Sequence, residues 1–181
     1  MAAFALWEGN MKRLALAVAL IALPAHAAVV EVAPSGMEIK HSFKVATTPQ
    51  KVWDVLVQPA RWWSSDHTFS GSAANLSLEP KAGGCWCETL PNGGSVQHLT
   101  VSFFAPPRAL VLRGALGPLY NLAADGALAW TLAPSGPDTE VTLTFRAGGY
   151  IKDGFAKWAA PVDKVLGEQA GRLKQAVEGK N

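Results

Sequence analysis

The run Phe155 to Val177, FAKWAAPVDKVLGEQAGRLKQAV, is the part of this chain that most restricts how it can fold. Apolar residues recur at Phe155, Trp158, Ala159, Val162, Val165, Leu166, Leu173, Ala176 and Val177. That three-and-four spacing lays a stripe along one face of an α-helix, and a stripe that long must be covered by something. The segments before it alternate with a period of two, so the cover is a sheet. Gly148-Gly149 release the chain into the helix, and Pro161 is expected to kink it or split off its first turns. The mobile start, with Tyr150, Phe155 and Trp158, then forms a wall beside a pocket mouth.

The alternation starts at Met37, where Ile39, His41, Phe43 and Val45 share one parity and Glu38, Lys40, Ser42 and Lys44 the other. Positions 28–36 read as a loose lead-in. Thr48-Pro49 is a helix start, with Thr as N-cap and Pro at the first helical position, and Val52, Trp53, Leu56 and Val57 form its apolar face. Strands follow at Leu76–Leu78, Cys85–Leu90, a partner after the turn, Ala109–Arg113, Gly126–Leu132 and Glu140–Phe145. Asn92-Gly93 is a two-residue hairpin signal. It sets Glu88 opposite Gln97, Cys87 opposite His98 and Trp86 opposite Leu99. The class is therefore α+β: a curved antiparallel sheet of about seven strands around a long C-terminal helix.

The first 27 residues read as an address. Met1 to Asn10 is an upstream extension, Met11-Lys12-Arg13 a basic start, Leu14 to Leu23 an apolar core and Ala25-His26-Ala27 a cleavage pattern. Ten apolar residues are too few to span a bilayer, and no later run approaches the roughly 20 required, so the mature chain carries no transmembrane segment. The expected location is periplasmic or secreted after cleavage near Ala27, with residues 37–181 as one domain. A net charge of +2, without a Lys/Arg cluster, argues against nucleic acid as a partner. Nothing in the sequence sets an oligomeric state.

The order strand, helix pair, six strands and long helix, together with Thr48-Pro49-x-x-Val52-Trp53, Gly83-Gly84 before a strand and Pro106-Pro107-Arg108-x-Leu110, resembles the START-like (SRPBCC) superfamily over about Glu38 to Glu178. The polyketide cyclase/dehydrase-like and Hsp90-ATPase-activator-like branches are the most similar. The resemblance implies a helix-grip fold, a bent sheet gripping the last helix around an apolar cavity. It leaves the activity open, because members include lipid carriers, aromatic cyclases and hormone receptors.

The expected ligand is a small apolar or amphipathic molecule. Its candidate contacts are Trp53, Trp62, Trp63, Trp86, Arg113, Tyr120, Trp130, Tyr150, Phe155 and Trp158, although each tryptophan equally suits core packing. Adjacent residues of one short helix cannot both face inward, so Trp62 and Trp63 read as part of a gate. Glu88 shares a strand face with Trp86, where desolvation favours the neutral acid; a buried ion pair with Arg113 or an edge position is the alternative. His41, on the apolar parity of its strand, is either a hydrogen-bonded core residue or a proton shuttle, so Glu88 and His41 are the catalytic candidates for a cyclase or hydratase. Cys85, Cys87 and His98 form a third candidate, as metal ligands, a redox pair or small buried hydrophobes. No cofactor is expected, since the sequence holds no phosphate-binding loop or dinucleotide glycine pattern.

Intact mass and N-terminal sequencing of the protein recovered from the periplasm of an expressing bacterium are expected to give a chain beginning at Ala28. A protein that keeps residues 11–27 and stays with the cytoplasm would refute the address.

Overall fold

The computed structural model describes residues 28–180; the extension and signal segment expected over 1–27 lie outside them. Eight strands form one sheet: β1 (Ala28–Ala33), β2 (Gly36–Val45), β3 (Leu76–Leu78), β4 (Cys85–Thr89), β5 (Ser95–Ala105), β6 (Ala109–Arg113), β7 (Ala123–Ser135) and β8 (Asp138–Tyr150). Two α-helices join them, α1 (Pro49–Leu56) and α2 (Ala156–Val177). The strand order is β1-β2-β8-β7-β6-β5-β4-β3, with every neighbouring pair antiparallel. Every neighbouring pair is consecutive in sequence except β2 and β8. That closure sends α1 and the loop after it from one end of the sheet to β3 at the other.

The expected α+β class holds, with one strand more than the alternation revealed. Residues read as a lead-in are β1, paired with β2 along Ala28–Ala33. An edge strand held by backbone hydrogen bonds needs no buried face. Val29, Val30 and Val32 are accordingly exposed, so the period-two test had nothing to find.

Inward residues of β2, β6, β7 and β8 make the core, among them Ile39, Leu112, Leu128, Trp130, Leu143 and Phe145. α2 packs on β1 and β2 and against α1. The helix runs unbroken through Pro161, contrary to the expected split. Pro161 lacks the N–H that would reach the Lys157 carbonyl, one hydrogen bond out of the ladder, and the rest continues around it. The buried stripe of α2 is Ala159, Asp163, Leu166, Gln169, Ala170 and Leu173. Two of these six are polar, and both are used to anchor neighbouring elements.

The turn between β3 and β4 is held by Gly83-Gly84. Gly83 has φ +78°, and its N–H donates to the Val101 carbonyl at 2.8 Å. A Cβ on Gly84 would lie 2.0 Å from the Glu79 carbonyl oxygen and 2.8 Å from that of Lys81, both backbone atoms that cannot step aside. Gly84→Ala is therefore expected to cost about 3 kcal/mol, the upper range of overpacking. Gly83→Ala, where the penalty is conformational only, should cost about 1–2 kcal/mol. Urea unfolding of the two variants measures the difference.

Candidate functional site

The site begins with a shift of register. Asn92 and Gly93 both take positive φ, 58° and 77°, as the dipeptide predicts, but the Leu90 N–H closes onto the Gly94 carbonyl, so pairing resumes only at Thr89 with Ser95. Glu88 then faces Val96 and Cys87 faces Gln97, one residue out of the expected register. A bulge restores it at Trp86 with Leu99, and His98 is the extra residue. A bulge re-aims a side chain. Here it turns His98 onto the buried face beside Glu88 and Trp86, where His98 is 9% and Glu88 0% exposed.

That rotation removes the expected metal set. Cys85 and Cys87 lie half-buried on the opposite face and are joined to each other in a disulfide, with Cα atoms 5.4 Å apart. His98 is no longer across from them. Among the described residues no group of three His, Cys, Asp or Glu side chains is placed to hold a metal ion.

Glu88 is a hub. One carboxylate oxygen, Oε2, accepts from His98 Nε2 at 2.8 Å and from the Phe69 amide at 3.1 Å, and Oε1 accepts from the Ser70 amide. Burial alone would raise this carboxyl. The Ser70 hydroxyl and amide, the Phe69 amide and His98 outweigh burial and hold it below the ordinary value of 4.5. The expectation of a neutral acid is thereby reversed, because sequence could not show two backbone amides arriving from a distant loop. Arg113, the alternative partner, is exposed and reaches Asp125 at 3.4 Å instead.

The loop that brings those donors is fastened to α2 along its first residues. Gln169 Oε1 accepts from the Ser64 amide at 2.8 Å, and Arg172 Nε donates to the Trp62 carbonyl at 2.9 Å. Glu168 meets His67 at 3.1 Å, and burial, which would raise the Glu168 carboxyl, is outweighed by His67, Ser64 and Arg172, which lower it. Trp63 Nε1 donates to the His67 carbonyl at 2.9 Å. Trp62 and Trp63 both point inward, at 1% and 7% exposure. Trp62 leaves the helical turn with φ −137°, so the helical rotation that would separate neighbouring side chains does not apply.

Between α2, this loop and the β3 to β5 half of the sheet lies a cavity of about 650 Å³. Trp158, Pro161, Val162, Val165 and Leu166 form its helical wall, and Leu76, Trp86 and His98 its sheet wall. Trp63 and Phe69 close it from the loop, and Leu116 to Pro118 from the segment before β7. Polar groups are few: Asp66, His67, Thr68, Asn121 and Lys157 besides His98.

Of the ten expected ligand contacts, Trp63, Trp86 and Trp158 line the cavity. Trp62, Trp130 and Phe155 are fully buried core, and Trp53 packs edge-on against Phe104 with ring centroids 5.2 Å apart. Arg113, Tyr120 and Tyr150 are exposed and outside the cavity wall. His41 lies beneath α2, with Nε2 2.9 Å from Asp163 Oδ1 and its ring against Gly167, and it too is outside the cavity wall. Sequence reasoning places His98 with Cys85 and Cys87 on the opposite face, because a bulge leaves no compositional mark. It missed Phe69 because an aromatic in a polar loop carries no periodicity.

An antiparallel sheet bent over a C-terminal helix, with an apolar cavity between them, is the helix-grip architecture of the SRPBCC superfamily. Residues 37–178 match the sequence profile described as "Polyketide cyclase / dehydrase and lipid transport", and the chain belongs to that family. A search of curated proteins found no match. Among solved structures, Aha1 from Colwellia psychrerythraea superposes with a TM-score of 0.55 at 16% identity, over 80% of this chain and 98% of that one. CalU16 from Micromonospora echinospora gives 0.52 at 17% identity, over 81% and 77%. The di-domain ARO/CYC BexL of the BE-7585A biosynthetic pathway gives 0.56 at 15% identity, over 82% of this chain and 50% of BexL. At these identities the likeness is one of fold. Among the described residues no helix is long and apolar enough to cross a membrane.

A carboxyl held low in the folded protein stabilises it above the unfolded value, and that contribution is lost as pH falls through the folded value. Glu88→Gln is thus expected to cost about 2 kcal/mol near neutrality, the range for hydrogen bonds to a charged group. The gap between wild type and variant should narrow as pH drops below 4.5. Thermal midpoints of both proteins across the acid range test this, and a gap independent of pH would contradict it.

Proposed function

We propose that this chain is an exported protein that binds a small apolar or amphipathic molecule in the cavity between α2 and the β3 to β5 half of the sheet. The cavity carries the reading: about 650 Å³ walled by three indoles, Phe69 and the aliphatic face of α2. Sites for drug-sized molecules fall at about 300–1,000 Å³, mostly apolar with a few placed polar groups, which describes this one. An apolar body suits the interior, and a polar end suits the rim of Asp66, His67, Asn121 and Lys157. The family's breadth, cyclases and dehydrases beside lipid transport, agrees with a ligand of this class. The address-like first 27 residues and the Cys85–Cys87 disulfide support an oxidising compartment.

Trp63, Trp86 and Trp158 lie in the wall, so an occupant should change their fluorescence. Titration with anilinonaphthalene sulfonate and with oleate is expected to saturate. Val162→Trp, which fills space from the helical wall, should weaken both by at least about tenfold, the equivalent of roughly 1.4 kcal/mol. Equal affinity in wild type and variant would place the ligand elsewhere. Native mass spectrometry of the purified mature protein would then identify what it carries from the cell.

A further inference from the structure

Behind the cavity wall lies a carboxylate with no solvent exposure, backed onto an imidazole that forms part of that wall. Glu88 contributes nothing to the cavity surface, whereas His98 does. An ionised carboxylate only accepts, so the His98 nitrogen facing it at 2.8 Å, Nε2, must carry the proton. In the neutral ring Nδ1 then holds a lone pair. Among the described residues it has no hydrogen-bond partner, and it is not fully buried, so it keeps access to the open side of the ring. Phe69 stacks on the imidazole, with centroids 5.8 Å apart and planes inclined by 23°, and covers one face.

These are the parts of a base held in one tautomer: a proton acceptor at the cavity, a buried carboxylate that orients it and offsets the charge it gains, and an aromatic cover. The other ionisable groups of the wall are on the rim. Asp66 is exposed, His67 is engaged by Glu168 at 3.1 Å, and Lys157 is exposed with Asp153 at 3.6 Å. His41, though also paired with a carboxylate, is outside the cavity.

We infer that His98 is a proton-transfer residue of this cavity, acting on an apolar ligand that carries a weakly acidic C–H or O–H, with Glu88 as its positioning residue. This rests on the binding reading, since the ligand must enter for the imidazole to touch it.

The apolar carbon acid 5-nitro-1,2-benzisoxazole tests the inference with the mature protein. Its C3 proton would pass to Nδ1, the C–H electron pair would become the third bond of a nitrile, and the N–O bond would break to release a coloured phenoxide. The imidazolium then returns its proton to water. Saturable turnover about 10²-fold above buffer is expected, the lower range for a placed general base, and His98→Gln should abolish that gain. Glu88→Gln should lower kcat by about tenfold with KM unchanged, as for an interaction made only in the transition state. His41→Gln should retain turnover. Ring ¹⁵N shifts of the unaltered protein should show His98 protonated on Nε2, and mixed tautomers in Glu88→Gln. A ring protonated on Nδ1 overturns the assignment even if His98→Gln does not fold. Saturable binding of the probe without turnover, or turnover that survives His98→Gln, overturns the inference and leaves the binding reading standing. Failure of both the probe and anilinonaphthalene sulfonate to bind overturns the binding reading and this one with it.

Discussion

The burial of one carboxylate organises this molecule's working half. Glu88 sits at zero exposure on β4, and a charge so placed is tolerable only when fully hydrogen-bonded. Its partners come from two places far apart in the chain, the bulge at His98 and the loop amides of Phe69 and Ser70. Satisfying the carboxylate therefore does three things at once. It seats the loop over the cavity, fixes the plane of the imidazole and holds the bulge in place. A hydrophobic residue at this position would pack more cheaply but would leave the loop amides without partners.

α2 contributes in the same economical way. Part of its apolar stripe, Ala159, Leu166, Ala170 and Leu173, is buried, and a second part, Trp158, Val162 and Val165, looks into the cavity. Polar residues between them do the fastening. Asp163 meets His41 of β2, Gln169 and Arg172 hold the backbone at Ser64 and Trp62, and Glu168 meets His67. One helix is thus core, wall and anchor, and the loop that closes the cavity is tied to the same rigid body that lines it. The cavity exists because α2 packs on β1 and β2, leaving Leu76, Trp86 and His98 of the far strands facing space that the helix does not fill.

The errors of sequence reasoning have physical causes that recur. Alternation finds strands with one wet face, so β2 and β8 were legible and the exposed edge strand β1 was not. Apolarity finds burial without saying what the burial is against. Trp62, Trp130 and Phe155 looked as suitable for a ligand as Trp63, Trp86 and Trp158, and only the fold separates core from wall. Apolar parity marks His41, which packs with Asp163. It cannot mark His98, because the bulge that turns it toward the cavity reverses the parity of that half of β5.

By itself the sequence determined the layers: the period of the C-terminal stripe demanded a helix with a cover, the alternating segments supplied a sheet, and the glycine and proline positions set most of the boundaries. These are local properties, written in the order of neighbouring residues. The tertiary structure decided the chemistry. One extra residue between Trp86 and Glu88's partners moved His98 through the sheet, separated it from Cys85 and Cys87 and set it against a carboxylate that loop amides keep ionised. Register and long-range hydrogen bonding depend on segments tens of residues apart, and no window on the sequence contains both ends of such a bond.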